Sequence, residues 1–346
     1  MFKLAKTNIA IDLGTSNVTV YVAGKGIVYK QANAVAVDVT DESVIALGDE
    51  AAAMLEKTPE TVKLLMPMRS GVVSQFDVMS LILEHIINKV CKNNILRPNI
   101  IISTPVGITE PEKRTVISLA CSSCAARVST INSPIASALG SGISIEAPHG
   151  VMVVDIGAGT ADIAVLTMES VSNCCSLKLG GDDMNEAIKQ YIKRNRGYDI
   201  GFQTAEKIKR TLGFAVLPSE EIEMTVAGKE HTTGIPLLFT LTSTEVFEAL
   251  GDIVSEIARG ISQVLEETQP ELYSDICNGG IVLAGGGSKL KGLDEALSER
   301  LKISVRLLAD SENCAVKGAG YALKNLKKFE DEGLVFRLRE PIDENI

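Results

Sequence analysis

Short apolar blocks closed by small residues recur along the chain, and they read as strands. The first, Ile9-Ala10-Ile11-Asp12-Leu13, runs into the small-residue turn Gly14-Thr15-Ser16-Asn17 and returns as Val18-Thr19-Val20. An apolar run with one carboxylate, a tight turn and a second β-rich run predict a hairpin. Met152-Val153-Val154-Asp155-Ile156-Gly157-Ala158-Gly159-Thr160-Ala161-Asp162-Ile163-Ala164-Val165 repeats the grammar. Both Asp-to-Asp and Gly-to-Gly offsets are the same, 155 − 12 = 157 − 14 = 143. Repetition at a fixed offset predicts two similar halves, each opening with a hairpin.

Other blocks fill in the plan. Ile281-Val282-Leu283-Ala284 predicts a strand, Gly285-Gly286-Gly287-Ser288 follows, and Gly292-Leu293-Asp294-Glu295-Ala296-Leu297 reads as a helix. Bare backbone at a helix start lets a flat group such as an adenine, or a phosphate, approach closely. Thr204 to Arg210 reads as a helix on which Glu206 and Lys209 share a face. Such a pair can hydrogen-bond a ribose or base, although most such pairs are solvated helix surface. A helix is predicted after Thr109-Glu110-Pro111-Glu112. From Leu334 to Leu338 apolar and charged residues alternate, as in a short strand, a partner-binding peptide or a disordered tail.

The length of 346 residues suggests two domains at roughly 100–200 residues each. With 34 Lys and Arg against 44 Asp and Glu, the net charge is −10, a poor balance for coating nucleic acid. A hydrophobic fraction of 45% is that of a packed globule. No apolar run is long enough to span a bilayer, and Met1-Phe2-Lys3-Leu4-Ala5-Lys6 has no secretory pattern, so a cytoplasmic location is expected. Seven cysteines (91, 121, 124, 174, 175, 277 and 314) are expected as buried or half-buried thiols in a reducing compartment. Cys121 and Cys124 have C-x-x-C spacing inside a predicted helix, without a second pair to complete a zinc set. His85, His149 and His231 lie far apart and form no metal-ligand cluster.

The chemistry of the repeated unit is legible. A buried strand delivers a carboxylate to its end, and a turn without bulky side chains exposes backbone N–H groups that cradle phosphate oxygens. Asp12 and Asp155 suit a hydrated Mg²⁺, which keeps several waters and takes only one or two carboxylates. Either copy alone is an ordinary tight turn. Two copies facing each other would grip a nucleotide triphosphate from both sides.

Taken in order, these motifs resemble the superfamily of actin, sugar-kinase and heat-shock-chaperone ATPases, and within it the bacterial actins of the MreB/Mbl type. The resemblance runs to about residue 325. Asp12 to Asn17 is similar to the first phosphate motif, Asp155 to Thr160 to the second, and Gly285 to Ser288 to the adenosine motif. More specific are Pro67 to Val73, Thr104 to Glu110, Gly181 to Ile188, Thr204 to Lys209 and Lys317 to Gly320. The resemblance implies an α/β actin-like fold of two ribonuclease H-like domains, each with a smaller subdomain, and ATP with Mg²⁺ in the interdomain cleft. It implies domain IA at 1–32, 71–149 and 313–330, subdomain IB at 33–70, domain IIA at 150–181 and 242–312, and subdomain IIB at 182–241, with 331–346 as a tail. Within IB, Val35-Ala36-Val37 and Ile45-Ala46-Leu47 with the following helix form the small unit. The nucleotide contacts carried over are Gly14, Thr15, Ser16, Asn17, Gly157, Ala158, Gly159, Thr160, Glu206, Lys207, Ile208, Lys209, Gly285, Gly286, Gly287 and Ser288.

The family implies self-assembly into paired protofilaments under the inner membrane, alongside cell-wall synthesis proteins, guiding cell shape. Such proteins reach the membrane through an amphipathic N-terminus or a hydrophobic loop, for which Phe2, Leu4, Ile95 and Leu96 are the candidates. Inserting one or two such side chains at roughly 1.5–3 kcal/mol each gives weak attachment that a filament multiplies. Two departures touch catalysis. Ser133 stands before Pro134 where the family has a Glu that orients the attacking water, and a hydroxyl is no base near neutral pH. Asp162 follows Thr160-Ala161 where a Glu is usual, placing a compensating carboxylate near the metal waters while Thr160 remains to place a water. Slow hydrolysis is expected. Competing readings are an actin-fold adaptor that does not polymerise and a small-molecule kinase of the same superfamily.

Overall fold

The computed structural model describes residues 8–91, 97–123, 125–331 and 335–337. Its first large sheet holds β1 (Asn8–Leu13), β2 (Asn17–Val22), β3 (Gly26–Ala32), β9 (Asn99–Thr104), β10 (Arg127–Asn132) and β19 (Val335–Arg337), in the order β19-β10-β9-β1-β2-β3. The second holds β11 (Val151–Ile156), β12 (Ala161–Thr167), β13 (Ser170–Leu177), β17 (Ile281–Ala284) and β18 (Val305–Leu307), in the order β13-β12-β11-β17-β18. Each sheet pairs a central strand antiparallel to its own hairpin partner on one side and parallel to a later strand on the other. The duplication extends to register. Asp12 faces Thr19 and Leu13 faces Val18 in the first hairpin; Asp155 faces Asp162 and Ile156 faces Ala161 in the second, all at the 143-residue offset (155 − 12).

Strand alternation sorts these residues onto two faces. Ile9, Ile11 and Leu13 pack outward beneath α2 (Phe76–Val90) and α3 (Glu110–Ser122). Met152, Val154 and Ile156 pack outward with α7 (Ser243–Glu266), α8 (Pro270–Gly279) and α9 (Leu293–Leu301). Ala10 and Val153 point the other way, into a third core shared by both sheets. That core is filled by α4 (Ser133–Gly140) and α10 (Cys314–Lys324), whose Ala136, Ala138, Ala315, Ala319 and Ala322 are buried there. Small residues let the two helices touch backbone to backbone: a Cβ on Gly318 would run into the Ala136 carbonyl, and one on Gly140 into that of Cys314.

Smaller sheets sit beside these. β4 (Val35–Asp38), β5 (Val44–Leu47) and β6 (Val62–Leu65) form one with α1 (Asp49–Ala53), as the runs at 35–37 and 45–47 predict. β14 (Tyr198–Asp199), β15 (Glu223–Glu230) and β16 (Pro236–Thr242) form the other, with α5 (Gly181–Arg196) and α6 (Phe202–Leu212). β7 (Met68–Arg69) and β8 (Val72–Val73) make a hairpin whose two turn residues, Ser70 at φ 46° and Gly71 at φ 76°, have the left-handed geometry of a type I′ turn.

Three expectations change. The alternation after Leu334 forms β19, and its partner is β10 of the same chain; it follows α11 (Leu326–Asp331), whose Phe329 is buried in the shared core. The triple glycine leads into a single 3-10 turn at Gly287–Lys289, and α9 begins only at Leu293. The cysteines divide: Cys314 is buried and Cys91 and Cys175 half-buried, whereas Cys121, Cys174 and Cys277 are exposed. Cys174 lies on an edge strand with alternating exposure, and Cys121 and Cys277 turn away from the buried faces of α3 and α8. Cys124 lies outside the described residues.

Candidate functional site

The two hairpin turns are built alike. Gly14 N–H donates to Asn17 O at 3.0 Å, and Gly157 N–H to Thr160 O at 2.8 Å, the same bond at the same offset. Their carbonyls are then tied down from behind. Asn33 donates from its backbone to Ser16 O (2.8 Å) and from Nδ2 to Gly14 O (3.0 Å). The first amides of α5, Gly181 and Asp182, donate to Gly157 O (3.0 Å) and Ala158 O (2.8 Å). Among the described residues, the N–H groups of Thr15, Ser16, Ala158 and Gly159 have no acceptor within the chain. Unsatisfied backbone donors in a turn form an anion cradle. The loops nearly touch: a Cβ on Gly159 would stand 2.7 Å from Thr15 Oγ1, which in turn accepts from Gly71 N–H at 3.1 Å.

Both loops open on one cleft of about 660 Å³ between the two halves. Asp12 and Asp155 line it, because each sits on the inward face of its strand next to Ala10 or Val153. Ser103 Oγ donates to Asp12 (2.7 Å) and Ser137 Oγ to Asp155 (2.6 Å). Burial still dominates: it raises Asp12 above the ordinary carboxylate range and pushes Asp155 up to about 7, with Asp162 and Asp12 adding like charge against the Ser137 bond. Asp162 is raised by burial to about 6 despite hydrogen bonds from Ser176 (2.6 Å) and Thr160 (3.3 Å). Asp182, also raised by burial to about 6, faces Ser16 Oγ at 3.4 Å. Burial disfavours the charged form of several carboxylates in this one cleft, a cost that a cation would relieve. Among the described residues no three or more His, Cys, Asp or Glu side chains form a metal cage; Asp12 and Asp155, which both line the cleft, are the carboxylates that would hold a hydrated Mg²⁺, an ion that needs only one or two of them.

Ser133 lines the cleft, its hydroxyl donating to Thr104 O at 3.1 Å. Gly285, Gly286 and Gly287 form another stretch of wall. Ser288 is buried beneath them, where its hydroxyl donates to Ala284 O and holds the turn. On α6, Glu206 and Lys209 face the cleft and pair at 2.7 Å. Lys209 also donates to Gly181 O (2.6 Å), and Asn185 and Arg210 donate to Glu206. Burial acts to raise Glu206, but Lys209 and these hydrogen bonds bring it down to about 2. Three carried-over contacts do not line the cleft: Ser288 is buried beneath it, Ile208 is fully buried in the second-half core, and Lys207 is exposed outside the lining. Helical periodicity explains Lys207 and Ile208, since 206 and 209 share a face that 207 and 208 do not. Phe2, Leu4, Ile95 and Leu96 lie outside the described residues.

Sequence reasoning missed Ser103, Ser137, Asn33, Asp182 and Gly71. Gly71 and Asp182 lie inside motifs already singled out, and Ser137 is one helical turn beyond Ser133. Lys30, Lys289 and Glu312 were missed as well; they line one end of the cleft, with Glu312 3.0 Å from each lysine.

Two sheets of like topology, a shared helical layer and paired phosphate-type loops across a cleft define an actin-like fold. The MreB/Mbl protein family model matches residues 6–331, and the chain belongs to that family. It is 39% identical over 323 residues to the cell shape-determining protein MreB of Escherichia coli (strain K12), covering 92% of this chain and 93% of that one. To the cell shape-determining protein Mbl of Bacillus subtilis (strain 168) it is 38% identical over 322 residues, covering 93% and 97%. The crystal structure of MreB5 of Spiroplasma citri bound to ADP superposes with a TM-score of 0.90 at 30% identity, covering 95% of this chain and 99% of that one. The MamK double helical filament, at 21% identity, a TM-score of 0.78 and coverage of 92% and 99%, shares the fold.

The raised Asp155 makes a stability prediction. An aspartate whose folded-state value exceeds its ordinary one favours folding at low pH and loses that contribution as pH rises towards about 7. Asp155→Asn keeps an acceptor for Ser137 without the charge. In thermal melts of nucleotide- and metal-free protein it should exceed wild type by roughly 2–5 °C near pH 8, with the margin narrowing as the pH falls through about 7 and closing only near the ordinary carboxylate value of about 4.

Proposed function

We propose that this chain binds ATP with Mg²⁺ in the cleft and polymerises into filaments on the inner face of the cytoplasmic membrane. There they organise cell-wall synthesis and cell shape. The observation that carries this reading is the matched pair of loops, whose free amides and flanking carboxylates converge on one cavity from opposite sheets. The amides of Thr15, Ser16, Ala158 and Gly159 would hold phosphate oxygens. Asp12 and Asp155 would hold the waters of Mg²⁺, which neutralises the triphosphate. Gly285 to Gly287 offer bare backbone to the base, and Glu206 with Lys209 offer an acceptor and a donor to the ribose. The solved relative bound to ADP and the cell shape-determining relatives support this assignment.

Filament formation and membrane contact extend the reading. Among the described residues no helix is long and apolar enough to cross a membrane, so attachment is proposed through Phe2, Leu4, Ile95 and Leu96, multiplied along the polymer. Hydrolysis is proposed to be slow. The Ser133 hydroxyl is engaged with a carbonyl and is no base, leaving Thr160 and Asp162 to place the water.

Sedimentation with electron microscopy on lipid vesicles tests assembly. ATP should drive the chain into pelletable paired filaments. Protein that stays in the supernatant with every nucleotide would instead be the non-polymerising adaptor. For hydrolysis, Ser133→Glu should raise phosphate release about tenfold or more, within the range a positioned base supplies; equal rates would remove the role assigned to this position.

A further inference from the structure

The N-terminus of α6 is capped from the opposite side of the cleft. A helix starts with amides that have no partner inside it. Gly201 occupies the cap position of α6, which has no side-chain cap of its own. Instead Phe202 N–H donates to Glu56 Oε1 at 2.9 Å, across 146 positions of chain. Beside it, Gln203 Nε2 donates to Ala52 O at 2.8 Å. Ala52 belongs to α1 and Glu56 to the turn after it, both in the small unit of the first half. Ala52, Leu55, Phe202 and Gln203 all line the cleft, so the two small units meet over its mouth.

Local details fit a built contact. Glu56 takes φ 60°, a left-handed conformation that costs a residue with a Cβ. A Cβ on Gly201 would meet the Glu56 carboxylate, so a side chain there would push the capping group aside. A carboxylate there also meets the positive end of the helix dipole. Phe202, Glu206 and Lys209 follow one another at helical spacing along one face, so what holds the first turn of α6 sets where the Glu206–Lys209 pair stands.

We propose that Glu56 is a positioning residue: by capping α6 across the cleft mouth it fixes the Glu206–Lys209 pair and slows escape of the bound nucleotide. This rests on the nucleotide reading above. Gln203, bonded to Ala52, acts in the same contact.

The test is the rate at which a fluorescent ATP analogue, chased with excess ATP in the presence of Mg²⁺, leaves the full chain. Wild type, Glu56→Ala, Glu56→Gln, Gln203→Ala and the combined Glu56→Ala, Gln203→Ala variant are compared, with thermal melts of the nucleotide-free proteins. Release should accelerate about three- to tenfold in Glu56→Ala, the scale of a lost helix cap. Glu56→Gln, which keeps an acceptor oxygen, should recover part of the difference. Gln203→Ala should shift release in the same direction, and the combined variant should show less than the product of the two effects. Wild-type release in both Glu56→Ala and Gln203→Ala overturns this inference alone, even if the melts shift. Failure of wild type to take up the analogue overturns the nucleotide reading and this inference together.

Discussion

The two-residue alternation of β1 and β11 sets the terms for the rest of the molecule. Their outward side chains, Ile9, Ile11 and Leu13 in one and Met152, Val154 and Ile156 in the other, must be covered by helices of their own half. Their inward positions then bring Asp12 and Asp155 to one crevice, each just beyond a small or β-branched residue of the shared core. Carboxylates in such a place are costly as anions, and the raised values of Asp155 and Asp162 express that cost. The nucleotide-free protein therefore carries an electrostatic penalty at its centre, which a cation would relieve.

The halves are alike in topology and unlike in chemistry. On the first sheet the strand beside β1 places Ser103 opposite Asp12, and its hydroxyl holds the carboxylate. On the second, Ala284 lies opposite Asp155, and the hydroxyl comes instead from Ser137 on α4. Asp162 stands where the first hairpin has Thr19. The additional carboxylate thus sits on the second wall, 3.3 Å from Thr160 Oγ1. The layer of α4 and α10 links these differences. It carries Ser137 and Ser133 on one helix and fills the shared core with small residues on both.

Much of this was legible in the chain because the signals were local. A hairpin is written in consecutive residues, and its repetition at a fixed offset survives in the strand register. What stayed hidden depends on contacts across long separations: Asn33 behind the first loop, Ser137 under Asp155, Glu56 over α6. Lys207 and Ile208 were misplaced because a contiguous motif was carried over as a block, although a helix turns neighbouring side chains to different faces. Cys121, Cys174 and Cys277 were expected inside because their neighbours are apolar, but an edge strand and half-covered helices leave alternate positions in water.

The claim at the centre is that Asp12 and Asp155 hold, between two duplicated loops, the ion that accompanies a triphosphate. Titrating ATP into wild type and into an Asp12→Asn, Asp155→Asn variant, each with Mg²⁺ and with chelator, addresses it directly. Wild-type affinity should fall by about tenfold or more when Mg²⁺ is removed, and the variant should bind equally weakly in both conditions. Wild-type binding indifferent to Mg²⁺, or a variant that keeps the full Mg²⁺ dependence, would contradict the account.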